Sequence, residues 1–82
     1  MFFVYLLISL KNSKSYVGMT SKLPHTRLSE HNTGTDQWTM QNGPFKLIYY
    51  ESYHCKIDAL HREKFLKSGV GRKLVKLIIE NY

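Results

Sequence analysis

Phe2-Phe3-Val4-Tyr5-Leu6-Leu7-Ile8 is followed by the polar bend Lys11-Asn12-Ser13-Lys14, then by Ser15-Tyr16-Val17-Gly18, then by a segment carrying Arg27 and His31. The first run is apolar and aromatic and has the length of a strand. The bend is the size of a hairpin loop and contains the turn formers Asn12 and Ser13. The second run is short, β-branched and aromatic, and stops at Gly18. Together they predict an antiparallel hairpin with Tyr5 and Tyr16 on neighbouring strands. Arg27 and His31 lie four apart and share a face if their segment is helical. Two phenols, a guanidinium and an imidazole are therefore expected near one spot.

The remaining segments extend this start into an α+β fold. Residues 2–10 are apolar on both faces, the pattern of a buried central strand, and residues 15–19 are its partner. Pro24 suits a first helical turn, so a helix is expected over 23–32. Residues 33–44 are polar, contain Gly34, Gly43 and Pro44, and read as a loop. Residues 45–53 form a third strand, with Phe45, Ile48, Tyr49, Tyr50 and Tyr53 as its strand formers. A helix over 56–67 is closed by Ser68-Gly69, read as a C-terminal stop. The last helix spans 72–81, and its stripe of Leu74, Val75, Leu77 and Ile78 packs on the sheet. The order β-β-α-β-α-α predicts a small three-stranded antiparallel sheet with helices packed on it.

At 82 residues the chain is expected to form one domain, residues 1–82. Twelve basic and six acidic residues give a formal charge of +6. So large an excess in so small a domain favours a polyanionic partner, nucleic acid or an anionic surface. A basic surface that merely keeps the protein soluble is the plainer explanation of charge alone. Cys55 is the one cysteine, so no internal disulfide forms, which fits a reducing compartment. No apolar run approaches the ~20 residues of a membrane span. The N-terminal run lacks the flanks of a signal peptide. A cytoplasmic protein with no membrane association is the expectation.

The motifs carry a family resemblance. Val4-Tyr5-Leu6 followed by Tyr16-Val17-Gly18 resembles the pair of tripeptides that names the GIY-YIG endonucleases, with the tyrosines at the family's spacing. Arg27-Leu28-Ser29-Glu30-His31-Asn32 is similar to the Arg-x-x-x-His helix of many members. Arg62-Glu63-Lys64 is similar to the segment that supplies the metal-binding glutamate. The glycine of the first tripeptide is Val4 here, at a position without a reactive group. The basic segment from Lys67 to Lys73 is similar to one in small stand-alone bacterial members.

The resemblance implies a DNA endonuclease that uses one divalent ion, Mg²⁺ or Mn²⁺, and leaves a 5′-phosphate and a 3′-hydroxyl. Hydrolysis by water needs a base, positive charge for the phosphoryl oxygens and a stabilised leaving oxygen. Tyr5 or Tyr16 is implied to orient or deprotonate the water, with His31 as a proton partner. A phenol is a poor base at its ordinary pKa of about 10, and a nearby guanidinium or metal is expected to lower it. Against this stands the reading of both tyrosines as half-buried core residues. Arg27 would grip the scissile phosphate through paired hydrogen bonds, unless it and His31 are simply a solvated helix face. Glu63 is the implied metal ligand, since Mg²⁺ often takes one or two carboxylates and keeps its waters. The competing reading of Glu63 is an exposed i, i+4 ion pair with Lys67.

Lys22, Trp38, Lys67, Arg72 and Lys73 are the candidate nucleic-acid contacts, Trp38 by stacking on a base and the cations along the backbone. Trp38 folded over a small core is the alternative. The histidines and Cys55 lack the paired spacing of a zinc site, and no glycine-rich phosphate loop precedes a helix. The second functional reading is a binding module that kept the nuclease fold without turnover. Sequence specificity is expected to be low, or else to be supplied by a homodimer or by a repair or recombination partner.

Overall fold

The computed structural model describes residues 1–34 and 37–82. The two apolar runs form β1 (Phe2–Ser9) and β2 (Ser15–Thr20), and the aromatic run forms β3 (Phe45–Tyr53). The sheet order is β2-β1-β3, with both pairings antiparallel. β1 is therefore the central strand, as its two apolar faces require.

Alternation along β1 divides the molecule. Val4 and Leu6 face one side and join Val17, Ala59, Leu66 and Val75 in the larger core. That side is covered by α3 (Lys56–Lys67) and α4 (Gly69–Glu80). Tyr5 and Leu7 face the other side and pack with Phe45, Tyr16, Leu28 and Leu47. α1 (Pro24–Thr33) lies there, with Pro24 at its start as the sequence predicts. The β1–β3 ladder slips by one residue between Leu6 and Leu7.

Two expectations are corrected. The predicted loop over 33–44 contains a short helix, α2 (Gln37–Asn42); residues 35 and 36 of that loop lie outside the described residues. α2 is held by tertiary bonds rather than by its own pattern. The Ser9 hydroxyl donates to the Asn42 carbonyl, and Asn12 Nδ2 donates to Asn42 Oδ1 at 2.7 Å. Ser9 Oγ also accepts from the backbone N–H of Lys11 and Asn12, at 3.1 and 3.2 Å. One buried hydroxyl thus ties the β1–β2 turn to the end of α2.

The second correction concerns Ser68-Gly69. No described glycine has a positive φ, so this pair is not a left-handed helix stop. Ser68 ends α3 and also caps α4, its hydroxyl accepting from Gly71 N at 3.2 Å. The last helix therefore starts three residues earlier than predicted. Gly71 is buried where α4 crosses α3, and a methyl group there would lie 1.8 Å from the Phe65 carbonyl oxygen. The absence of a side chain is what lets the two helices meet.

Candidate active site

Gly18 stands opposite Tyr5 in the β1–β2 ladder, and Tyr16 stands opposite Leu7. These residues share a face, because cross-strand partners point to the same side of a sheet. A Cβ on Gly18 would lie 2.4 Å from Tyr5 Oη and 2.5 Å from its Cζ. The Tyr5 ring lies directly over the Gly18 backbone, which is how a central-strand side chain reaches toward the sheet edge. The glycine of the second tripeptide serves the tyrosine of the first.

Tyr5 is 1% exposed. Its hydroxyl is 3.1 Å from His31 Nε2. The imidazole packs edge-on against both tyrosines, with ring centroids 5.9 Å from Tyr5 and 4.8 Å from Tyr16. Burial pushes the Tyr5 phenol up to about 12; Arg27 beside it opposes the rise, and Tyr16 and Glu63 add to it. The expected lowering is thus overturned for Tyr5, because the cost of a buried phenolate exceeds what the guanidinium returns. At neutral pH Tyr5 is a phenol, able to donate to an unprotonated His31 nitrogen. Tyr16, in contrast, is only partly buried.

Arg27 reaches the site from α1. Burial pulls its pKa down, but contact with Tyr5 and Glu30 outweighs this and raises it above the ordinary value. Nη1 donates to Glu30 Oε1 at 3.1 Å, and Lys22 binds the second oxygen of the same carboxylate. Glu30 therefore lies between two cations. Asn32, next to His31, fixes the end of α1 on β3. Its amide donates to the Phe45 carbonyl at 3.2 Å and accepts from Phe45 N at 2.7 Å.

Glu63 comes from α3 on the far side of the β2 edge. It accepts from Lys67 Nζ at 3.3 Å, and its side chain is 22% exposed. It is close enough to Tyr5 to act on the phenol electrostatically. The Lys67 ammonium lies 5.8 Å from the Tyr16 ring centroid, so the ion pair borders the tyrosines. A lone, partly exposed carboxylate suits a hard cation that keeps most of its waters. Among the described residues no three His, Cys, Asp or Glu gather as a protein cage for a metal.

A salt bridge that the sequence did not reveal braces α3. Arg62 Nε and Nη2 donate to the two Glu51 oxygens at 2.8 and 2.9 Å, and the Tyr49 and Tyr53 hydroxyls donate to the same carboxylate. Burial alone would raise the Glu51 pKa, but these four bonds lower it. Arg62 directly precedes Glu63, so the fork fixes the helical turn from which Glu63 projects. Its signal in the sequence was limited to the adjacency of Arg62 and Glu63.

Two hollows flank the site along β2. A groove of about 790 Å³ is lined by Lys14, Tyr16, Trp38, Lys67, Arg72 and Lys76 among others. A smaller pocket of about 380 Å³, lined by Lys22, Arg27, Glu30 and Lys56 among others, lies at the Thr20 end. Trp38 stacks on Phe45 with rings 5.4 Å apart and 12° from parallel, yet stays 37% exposed. The ring is thus packed on the small core and still partly open to solvent. Lys73 is exposed on α4 but lines neither hollow, whereas Lys14, Lys56 and Lys76, unmarked in the sequence, do.

The α+β domain thus gathers two tyrosines, an arginine and a histidine, with a glutamate within electrostatic range of Tyr5. Residues 1–75 match the family model described as the GIY-YIG catalytic domain, and the chain belongs to that nuclease family. It is 34% identical over 77 residues to a UPF0213 protein of Clostridium perfringens, covering 93% of this chain and 81% of that one. A UPF0213 protein of Staphylococcus aureus is 32% identical over 79 residues, covering 95% and 94%. No solved structure matches the chain. No helix among the described residues is long and apolar enough to cross a membrane.

Proposed function

We propose that residues 1–82 act as a single nuclease domain that hydrolyses DNA phosphodiester bonds with one divalent ion, Mg²⁺ or Mn²⁺. The observation that carries this reading is the convergence of Tyr5, Tyr16, Arg27 and His31 on one side of the sheet, with Glu63 approaching around the β2 edge. Tyr16, the more open phenol, positions the attacking water. Tyr5 stays protonated and holds the His31 ring through the 3.1 Å contact. Arg27, steadied by Glu30, meets the charge that builds on the phosphoryl oxygens. Glu63 would hold the ion, which when bound would supply Lewis-acid stabilisation of the leaving oxygen.

The test is incubation with supercoiled plasmid and with labelled oligonucleotides, in Mg²⁺, Mn²⁺ or chelator. Nicking is expected only with the ion, and Glu63→Gln should abolish it with the fold intact. Undiminished cleavage in chelator, or by Glu63→Gln, removes the one-metal reading. A binding module without turnover is the second reading, favoured by the buried, protonated Tyr5 and by the Glu63–Lys67 pair. It predicts retained affinity and no product with any ion.

A further inference from the structure

We propose that the strand being cut enters this site unpaired, its bases in the Tyr16–Trp38 groove. The inference rests on the nuclease reading for the cut, but the groove's preference for single strands stands without it.

Among the described residues the groove carries four cations, Lys14, Lys67, Arg72 and Lys76, and one acid, Glu80. Such a lining suits a phosphate backbone. Its apolar lining combines the aliphatic Val17, Leu66, Val75 and Ile79 with two aromatic rings. Tyr16 and Trp38 lie 5.5 Å apart at 44°, and both line the groove. Trp38 gives one face to Phe45 and remains 37% exposed. Aromatic surface inside a cationic groove is the pattern that binds single strands, since an unpaired base has a free face to stack. A duplex keeps its base faces stacked on one another. It would touch the outer lysines and leave the aromatic rings unused.

The path agrees with the chemistry. Tyr16 belongs to both the groove and the tyrosine cluster. Four residues along β2, about 13 Å at ~3.3 Å per residue, the second pocket offers Lys22, Lys56 and Arg27. Tyr16 borders the first hollow and Arg27 the second. A strand following β2 from groove to pocket therefore passes the catalytic candidates on its way. Its unpaired part fills the groove, and the next phosphates reach Lys22 and Lys56.

Trp38 is the only tryptophan, so its fluorescence reports the groove directly. The full chain is titrated in chelator with oligothymidylate, a blunt hairpin duplex of equal nucleotide count, and the same duplex with a single-stranded tail. The expected result is quenching by the single strand and the tailed duplex, with the blunt duplex binding at least ~5-fold more weakly, the lower end of one stacked base. Trp38→Ala should erase that margin and Trp38→Phe should keep most of it, both read by anisotropy. Arg72→Glu, on an exposed part of α4, should weaken single-strand binding whether or not Trp38→Ala folds. Equal or tighter binding of the blunt duplex, or no quenching at saturating single strand, overturns the proposal. Cleavage of duplex plasmid without single-strand preference would sink this inference and leave the nuclease reading. Single-strand preference without cleavage in any ion would do the reverse.

Discussion

Replacing Gly18 with alanine tests how the two tyrosine strands fit together. The new methyl group would sit 2.4 Å from Tyr5 Oη and 2.5 Å from Cζ. Ordinary contact begins near 3.4 Å, so the ring must retreat by about 1 Å. Tyr5 is 1% exposed and packed on all sides, and a close-packed interior resists such a shift. Overpacking of this kind costs about 1–3 kcal/mol. In a domain of this size that is a fall in Tm of roughly 4–24 °C, at 4–8 °C per kcal/mol. The same retreat would stretch the 3.1 Å contact to His31, so cleavage should fall as well. The discriminating measurement is a double-mutant cycle with Tyr5→Leu, whose shorter side chain lacks the colliding atoms. There Gly18→Ala should cost within ~0.5 kcal/mol of zero, because alanine is no worse than glycine in a strand. Urea unfolding followed by Trp38 emission gives all four stabilities. An equal cost in both backgrounds would refute the steric argument and place the need for glycine in the backbone.

Three further outcomes are expected. Gly71→Ala should destabilise more than Gly18→Ala, because the obstacle is the Phe65 carbonyl at 1.8 Å and backbone cannot rotate aside; urea unfolding of the two variants side by side checks the order. Glu51→Gln should cost about 1–3 kcal/mol at pH 7, leaving Arg62 without its charged partner; since the folded Glu51 pKa is lowered, its contribution is present above about pH 4.5 and is lost as pH falls through the lowered value, so the gap between wild type and variant should close in acid, and a gap that stays constant with pH counts against the linkage. Arg27→Ala should slow turnover by at least ~10²-fold, with little rescue by Arg27→Lys because an ammonium lacks the paired donors; full rescue by lysine in a single-turnover assay would reduce the role of Arg27 to charge alone.

The strands were legible from their apolar and aromatic runs, α1 from Pro24 at its first turn, α3 from the break that follows it, and α4 from its apolar stripe. β1 reads as central from its sequence, and its pattern depends on no distant residue. α2 was not legible. Six residues with no repeating apolar face, set between glycines, carry no helical signal, and the bonds from Ser9 and Asn12 that hold Asn42 come from 30 or more residues away. The start of α4 was misread for a related reason. Gly69 and Gly71 look like breakers, yet Gly71 is glycine because another helix lies against it. At the site, the motif spacing pointed to Tyr5, Tyr16, Arg27, His31 and Glu63 as a set. The depth of Tyr5, which moves its phenol the opposite way from the one expected, depends on the Gly18 pairing and on α1, and no spacing encodes depth. The fork between Glu51 and Arg62 appears only when β3 is laid beside α3.

The shared Ser68 has a mechanical consequence. α3 and α4 meet at one residue and touch backbone to backbone at Gly71, so the pair has neither a linker to flex nor a cushion to compress. Arg72 and Lys76 lie on one arm and Glu63 on the other. A tilt of α4 against α3 has to be taken up at Ser68 and Gly71, the two places where the helices join and touch.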